Sequence, residues 1–281
     1  MSSNRLATLA LAAATLCNTA LAADANDGLF PTGMPGAGGF DVQGTLSGTR
    51  VNRDGTFQPP GLNFTDKSHQ NELNLSGRYG LSAQWALLLG MQASTVNVTR
   101  HAANGVSQHV HTEGLSGTVV GVTRDLLPRD GRPEALTADL TVRRNPQRRN
   151  SEVTMQYGLN LTGSYLLSDE VHPYVGLNLS APNESTGKRQ SAVKVGAWFR
   201  QDEDVTLRAN LIWQRDHGND LEQGNTLHVL EVGSIVTLDT RTRVLPTLSI
   251  ARLLPSGTRN GNLVITGGHG MTLALALYHA Y

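Results

Sequence analysis

From Val153 to Leu167 the chain alternates without interruption. Val153, Met155, Tyr157, Leu159, Leu161, Gly163, Tyr165 and Leu167 fall on one parity; Glu152, Thr154, Gln156, Gly158, Asn160, Thr162 and Ser164 fall on the other. A helix would mix the two sets around its circumference, whereas an extended strand sends them to opposite faces. The same period recurs in Leu136, Ala138, Leu140, Val142, in Val193, Val195, Ala197, Phe199, and in Val205, Leu207, Ala209, Leu211, Trp213. No apolar run after residue 22 reaches the about 18–20 residues of a membrane helix.

Twelve such segments are expected, near 40–52, 69–79, 85–100, 114–125, 135–143, 151–167, 172–181, 190–200, 205–215, 226–238, 244–252 and 270–281. The third and sixth look long. The facing of the fourth and eleventh is ambiguous, and the eleventh contains Pro246. Gaps after odd-numbered strands (53–68, 101–113, 216–225, 253–269) are mostly long and polar, and those after even-numbered strands (80–84, 168–171, 201–204, 239–243) mostly short; 144–150 and 126–134 depart from the alternation. An even number of strands with alternating short turns and long loops describes an all-β, antiparallel, up-and-down transmembrane barrel with its short turns in the periplasm. At those ends the apolar parity carries Phe40, Tyr79, Trp85, Tyr165, Phe199 and Tyr281, the expected periplasmic aromatic girdle. A soluble secreted sandwich or barrel is the competing fold; it needs neither the loop asymmetry nor the girdle.

Composition agrees. Charged residues make up 16%, below the about 25% of soluble domains, and Gly (30 residues) with uncharged polar residues takes their place. The formal net charge of zero argues against nucleic acid as a partner.

The N-terminus reads as a cleavable export signal over 1–22: Arg5, an apolar run from Leu6 to Leu16, then Ala20-Leu21-Ala22. The single Cys17 falls inside it, so the exported chain would hold no disulfide or thiolate metal site. Residues 23–39 are dense in Gly and Pro, which excludes a stable helix or ladder strand. They form an arm expected to fold into the periplasmic mouth through Leu29 and Phe30, with an unstructured tail as the alternative. Residues 40–281 form the barrel.

Twelve strands tilted about 40° enclose a backbone diameter near 24 Å, between filled eight-stranded barrels and open porins. The inward parity is mostly uncharged polar: Thr137, Asp139, Thr141, Gln156, Asn160, Thr162, Asn178, Lys194, Arg208, Asn210, Gln214 and Glu231. Counting from the turns puts Arg208 across from about Ala197, Lys194 across from about Leu211, and Asn210 across from about Glu231. Lys194, Arg208, Asn210 and Glu231 would then form a charged constriction, with Gln156, Asn160 and Asp139 lining the bore elsewhere. At the outer rim, Arg143, Arg144, Arg148 and Arg149 surround one loop and suit lipopolysaccharide phosphates.

Enzyme readings fare less well. His279 is the main lipid-facing imidazole, and Thr45 and Ser47 of the neighbouring strand point inward, away from it. Asp216-His217 with Asp220 reads as solvated loop, and His109-Val110-His111 lacks a third metal ligand. No catalytic residue, metal or cofactor is expected.

The last strand, with Leu273, Leu275, Leu277 and His279 leading to Tyr281, resembles the C-terminal signal read by the barrel assembly machinery. Further, Arg78-Tyr79-Gly80-Leu81-Ser82-Ala83-Gln84-Trp85-Ala86-Leu87 resembles a segment of the meta-pathway phenol-degradation family of bacterial outer-membrane proteins. So do Gly117 to Val122, the turn Asp130-Gly131-Arg132-Pro133, and His172 to Leu177. The resemblance implies an outer-membrane barrel acting as a transporter linked to aromatic-compound catabolism, and brings no catalytic motif. The expected function is passive passage of small solutes, aromatic or carboxylated. A closed structural or surface barrel is the alternative, and a lipid-modifying enzyme stands third.

Overall fold

β1 (Phe40–Phe57) is hydrogen-bonded to β2 (Leu62–Ser82) on one side and to β13 (Leu263–Ala280) on the other, and this double pairing closes the sheet into a barrel. The computed structural model describes residues 32–58, 61–127, 132–146, 153–183, 189–218, 224–257 and 263–281. Between those strands run β3 (Trp85–Ala102), β4 (Ser107–Leu127), β5 (Glu134–Pro146), β6 (Val153–Tyr165), β7 (Val171–Pro182), β8 (Gln190–Arg200), β9 (Val205–Asp216), β10 (Asn225–Thr237) and β11 (Thr242–Leu253). Every pair is antiparallel and follows chain order, giving the expected twelve-stranded barrel; β12 (Ser256–Gly257) only extends the ladder beside β13.

Polarity is inverted relative to a soluble protein. Leu46 is 62% exposed and Leu275 53%, within a belt of outward Leu, Val and Ile side chains, whereas Asn210 and Glu231 are 1% and 3% exposed inside. A contiguous apolar surface of this extent is far beyond what a soluble monomer shows. It excludes the soluble secreted sandwich or barrel, whose apolar parity would be buried. The belt covers Phe40 to Gly48 on β1 and Trp85 to Ala93 on β3, about 23 Å at a tilt near 40°.

The first four strands are longer than the apolar period indicates. Gaps 53–68 and 101–113, expected as loops, are mostly strand: the β1–β2 ladder continues to Phe57↔Leu62, and the β3–β4 ladder to His101↔Ser107. Above the belt the outward residues turn polar (Arg50, Asn52, Asp54; Thr95, Asn97, Thr99), so hydrophobic alternation ends while the backbone ladder continues. Likewise β13 begins at Leu263, not 270, and β6 is shorter than expected among the described residues.

The ambiguous facing of strand four has a physical cause. Its register with β3 shifts between Gln92 and Ala93, whose partners are Gly117 and Leu115, leaving Ser116 as an extra residue. A bulge reverses side-chain parity, so no single alternation describes the strand. In β11, Pro246 is outward and exposed, paired with Leu275.

Three short turns share one device. Ser168 Oγ accepts the N–H groups of Glu170 and Val171, Asp202 Oδ1 those of Asp204 and Val205, and Asp239 Oδ1 those of Arg241 and Thr242. The backbone N–H of Arg241, with the other donors there, holds the Asp239 carboxyl below the usual carboxylate range. All six expected girdle residues, Phe40, Tyr79, Trp85, Tyr165, Phe199 and Tyr281, are exposed on the outer wall at this end.

Candidate functional site: the barrel lumen

The lumen wall is organised in rows perpendicular to the strands. One row runs through register partners Gly196, Asn210, Glu231, Ser249, Thr272, Thr49 and Gln70. Asn210 Nδ2 donates to Glu231 Oε1 at 2.6 Å, Ser249 Oγ to Glu231 Oε2 at 3.5 Å, and Thr49 and Thr272 hydroxyls meet at 2.9 Å. Tyr174, on β7, reaches over Gly196 and donates its hydroxyl to Asn210 Oδ1. A Cβ at residue 196 would lie 2.7 Å from the Ala209 carbonyl oxygen and 2.9 Å from Tyr174 Cζ, so the bond requires glycine there.

Arg208 sits one inward position toward the short turns. Its Nη2 donates to Thr247 Oγ1 at 2.5 Å across the bare Gly233 and lies 3.8 Å from Glu231 Oε1. Lys194 Nζ is 5.5 Å from the Tyr174 ring centre, a cation–π contact. Asn210 does face Glu231 in register. The other two pairings differ by one residue: Arg208 faces Trp198 rather than Ala197, and Lys194 faces Ile212 rather than Leu211. Register is set by the hydrogen-bonded 201–205 turn, which residue counting did not resolve.

A second row crosses the opposite wall through Thr123, Asp139, Asn160 and Asn178. Thr123 Oγ1 and Asn160 Nδ2 donate to the two oxygens of Asp139, at 2.7 and 2.9 Å. Gln156 lies nearer the loop end and donates to Ser180 Oγ at 2.9 Å. Lys194, Arg208, Asn210 and Glu231 thus share one wall, while Asp139 and Asn160 lie in the second row and Gln156 nearer its loop end.

Arg143 corrects an expectation. It is not on the outer rim: its side chain lies inside, across Gly117, with Nε donating to Asn145 Oδ1 at 2.7 Å and Nη2 to Gln92 Oε1. It shares parity with Thr137, Asp139 and Thr141, a signal the sequence carried. Arg144 is exposed outside, while Arg148 and Arg149 lie outside the described residues.

The short-turn end is partly occupied by the arm. Arg78 and Asp41 form a buried ion pair, and Arg78 Nη1 also donates to the Gly33 carbonyl at 2.9 Å. Thr32 meets Ser164 of β6 at 3.1 Å, Met34 is buried, and Gly38 N–H donates to the Gly80 carbonyl while Gly80 N–H donates to that of Gly39. Leu29 and Phe30 lie outside the described residues. Beside the arm's level, Tyr174, Trp198, Ile235, Leu245, Ala276 and Tyr278 form an inward apolar cluster that the sequence reading missed. Among the described residues no group of three or more His, Cys, Asp or Glu side chains is arranged to hold a metal.

No family model matches this chain, and no curated protein does. Solved structures do. An outer membrane channel from Pseudomonas putida F1 is similar at TM-score 0.57 and 13% identity, over 92% of this chain and 100% of that one. The transport unit of the autotransporter AIDA-I from Escherichia coli is similar at TM-score 0.53 and 11% identity, over 86% of this chain and 90% of that one. The fold is that of an outer-membrane β-barrel.

Proposed function

We propose that the protein is an outer-membrane channel passing small solutes passively. The observation that carries this is the inverted wall: an apolar belt fits lipid, and a lumen lined by rows of Asn, Thr, Ser, Gln and a few charges stays wet. Diffusion through such a bore uses no cofactor. The similar channel from Pseudomonas putida supports the reading, and the likeness of residues 78–87 to the meta-pathway phenol-degradation family favours aromatic or carboxylated solutes.

Several features fit that setting. The exposed aromatics at the short-turn end suit the periplasmic interface, and Tyr281 suits recognition during barrel assembly. Arg144, with Arg148 and Arg149, suits lipopolysaccharide phosphate; replacing these three by Gln should reduce lipopolysaccharide retained on purification, and equal retention would remove the idea. Residues 1–22 serve as the export signal.

The arm favours a second reading, a barrel closed at rest. Planar-bilayer recording separates the two. Discrete conductance steps from the full chain support the channel. Silence from both the full chain and a variant lacking residues 23–39 would leave a structural barrel.

A further inference from the structure

On β5, Arg143 pairs in register with Val119 of β4, which in turn pairs with Gly90 of β3. The bare Gly117 lets the guanidinium cross β4 toward Gln92; a Cβ at 117 would lie 2.8 Å from Arg143 Nε. Among the described residues the side chain of Arg143 donates to Asn145 and Gln92, both neutral amides, so dipoles hold its guanidinium in place.

This cation overlooks a cavity of about 200 Å³ whose wall includes Leu88, Val119, Tyr278, Asn160 and Asn178. Leu88 and Val119 lie on the short-turn side of the Arg143–Gln92 shelf and form an aliphatic step. Two carboxylates also line the cavity. Asp41 is bound by Arg78, and Asp139 accepts bonds from Thr123 and Asn160. Asp139 is four residues from Arg143 along β5, about 13 Å, beyond the screening length of salty water. Glu72, buried on the loop side of Arg143, is a further carboxylate facing the lumen.

We infer that this cavity is a binding site for small monocarboxylates with an aliphatic or ring-sized apolar body. The carboxylate takes the guanidinium edge of Arg143, and the body rests on Leu88 and Val119. A guanidinium already held by two amides is pre-oriented, which lowers the ordering cost of binding. The cavity is smaller than the about 300–1,000 Å³ of sites for drug-sized ligands, which limits the solute to one ring or a short chain. The inference deepens the channel reading by naming a solute class, but its test does not depend on transport.

Ligand-observed NMR titration of the full-length, detergent-solubilised barrel compares cyclohexanecarboxylate with its isosteric neutral amide. Wild-type protein should bind the carboxylate at least about tenfold more tightly. Arg143→Gln should abolish that preference, and Arg143→Lys should keep part of it. Leu88→Asn, which leaves the cation in place, should weaken the carboxylate about threefold or more. Equal wild-type affinity for acid and amide overturns the site whatever the variants do, as does an undiminished preference in folded Arg143→Gln. Conductance measured in parallel separates the two readings: carboxylate binding without conductance retains the site and removes the channel, and the converse removes only the site.

Discussion

Asp41 and Arg78 are register partners on β1 and β2, joined by Nη2–Oδ2 at 2.7 Å and by Nε contacts of 3.2 and 3.1 Å to the two carboxylate oxygens. The remaining Nη1 holds the Gly33 carbonyl. One guanidinium thus ties the barrel wall to the arm that crosses its short-turn mouth.

Replacing Arg78 by Met should therefore loosen the arm. Removing one member of a buried pair costs about 3–5 kcal/mol in a dry core and less beside lumen water. The expected result is a higher mean single-channel conductance than wild type, matched by deletion of 23–39. Unchanged conductance in both variants would show that the arm does not limit flow.

Gly196→Ala should destabilise the barrel. The added Cβ meets the Ala209 carbonyl oxygen and Tyr174 and displaces the Tyr174–Asn210 bond, an overpacking cost of about 1–3 kcal/mol. Gly176→Ala is the control, since its nearest neighbour, Lys194 Cβ, is at an ordinary 3.6 Å. Heat-modifiability on gels should show a lower unfolding temperature for the first and little change for the second.

Arg208→Glu reverses a cation 3.8 Å from Glu231. Lys194 would then face two carboxylates, and the reversal potential in a salt gradient should move toward cation selectivity. An unmoved potential would locate selectivity away from this wall.

Tyr281 donates its N–H to the Phe40 carbonyl at 2.8 Å, and its ring centre lies 5.8 Å from that of Phe40, at the seam where the barrel closes. Deleting Tyr281 should lower the amount inserted in the outer membrane while leaving the conductance of inserted barrels unchanged. Normal surface levels would mean that assembly reads another element.

Much of the wall was legible from residue order alone, because side-chain parity in a strand is local. Val193, Val195 and Phe199 had to share a face opposite Lys194, and the structure keeps them there. Parity also carried the inward direction of Arg143. What residue order did not contain is how far each strand extends beyond its apolar stretch, where bulges such as Ser116 reverse the faces, and which residues stand beside each other across strands. Register depends on turn geometry and on ladder bonds between residues distant in the chain, and a shift of one residue moves every neighbour. So the ring of lumen polar groups was visible in the sequence, whereas the Tyr174–Asn210–Glu231 chain, the Arg143 shelf over Gly117 and the arm clasped by Asp41 and Arg78 were decided only when the sheet closed.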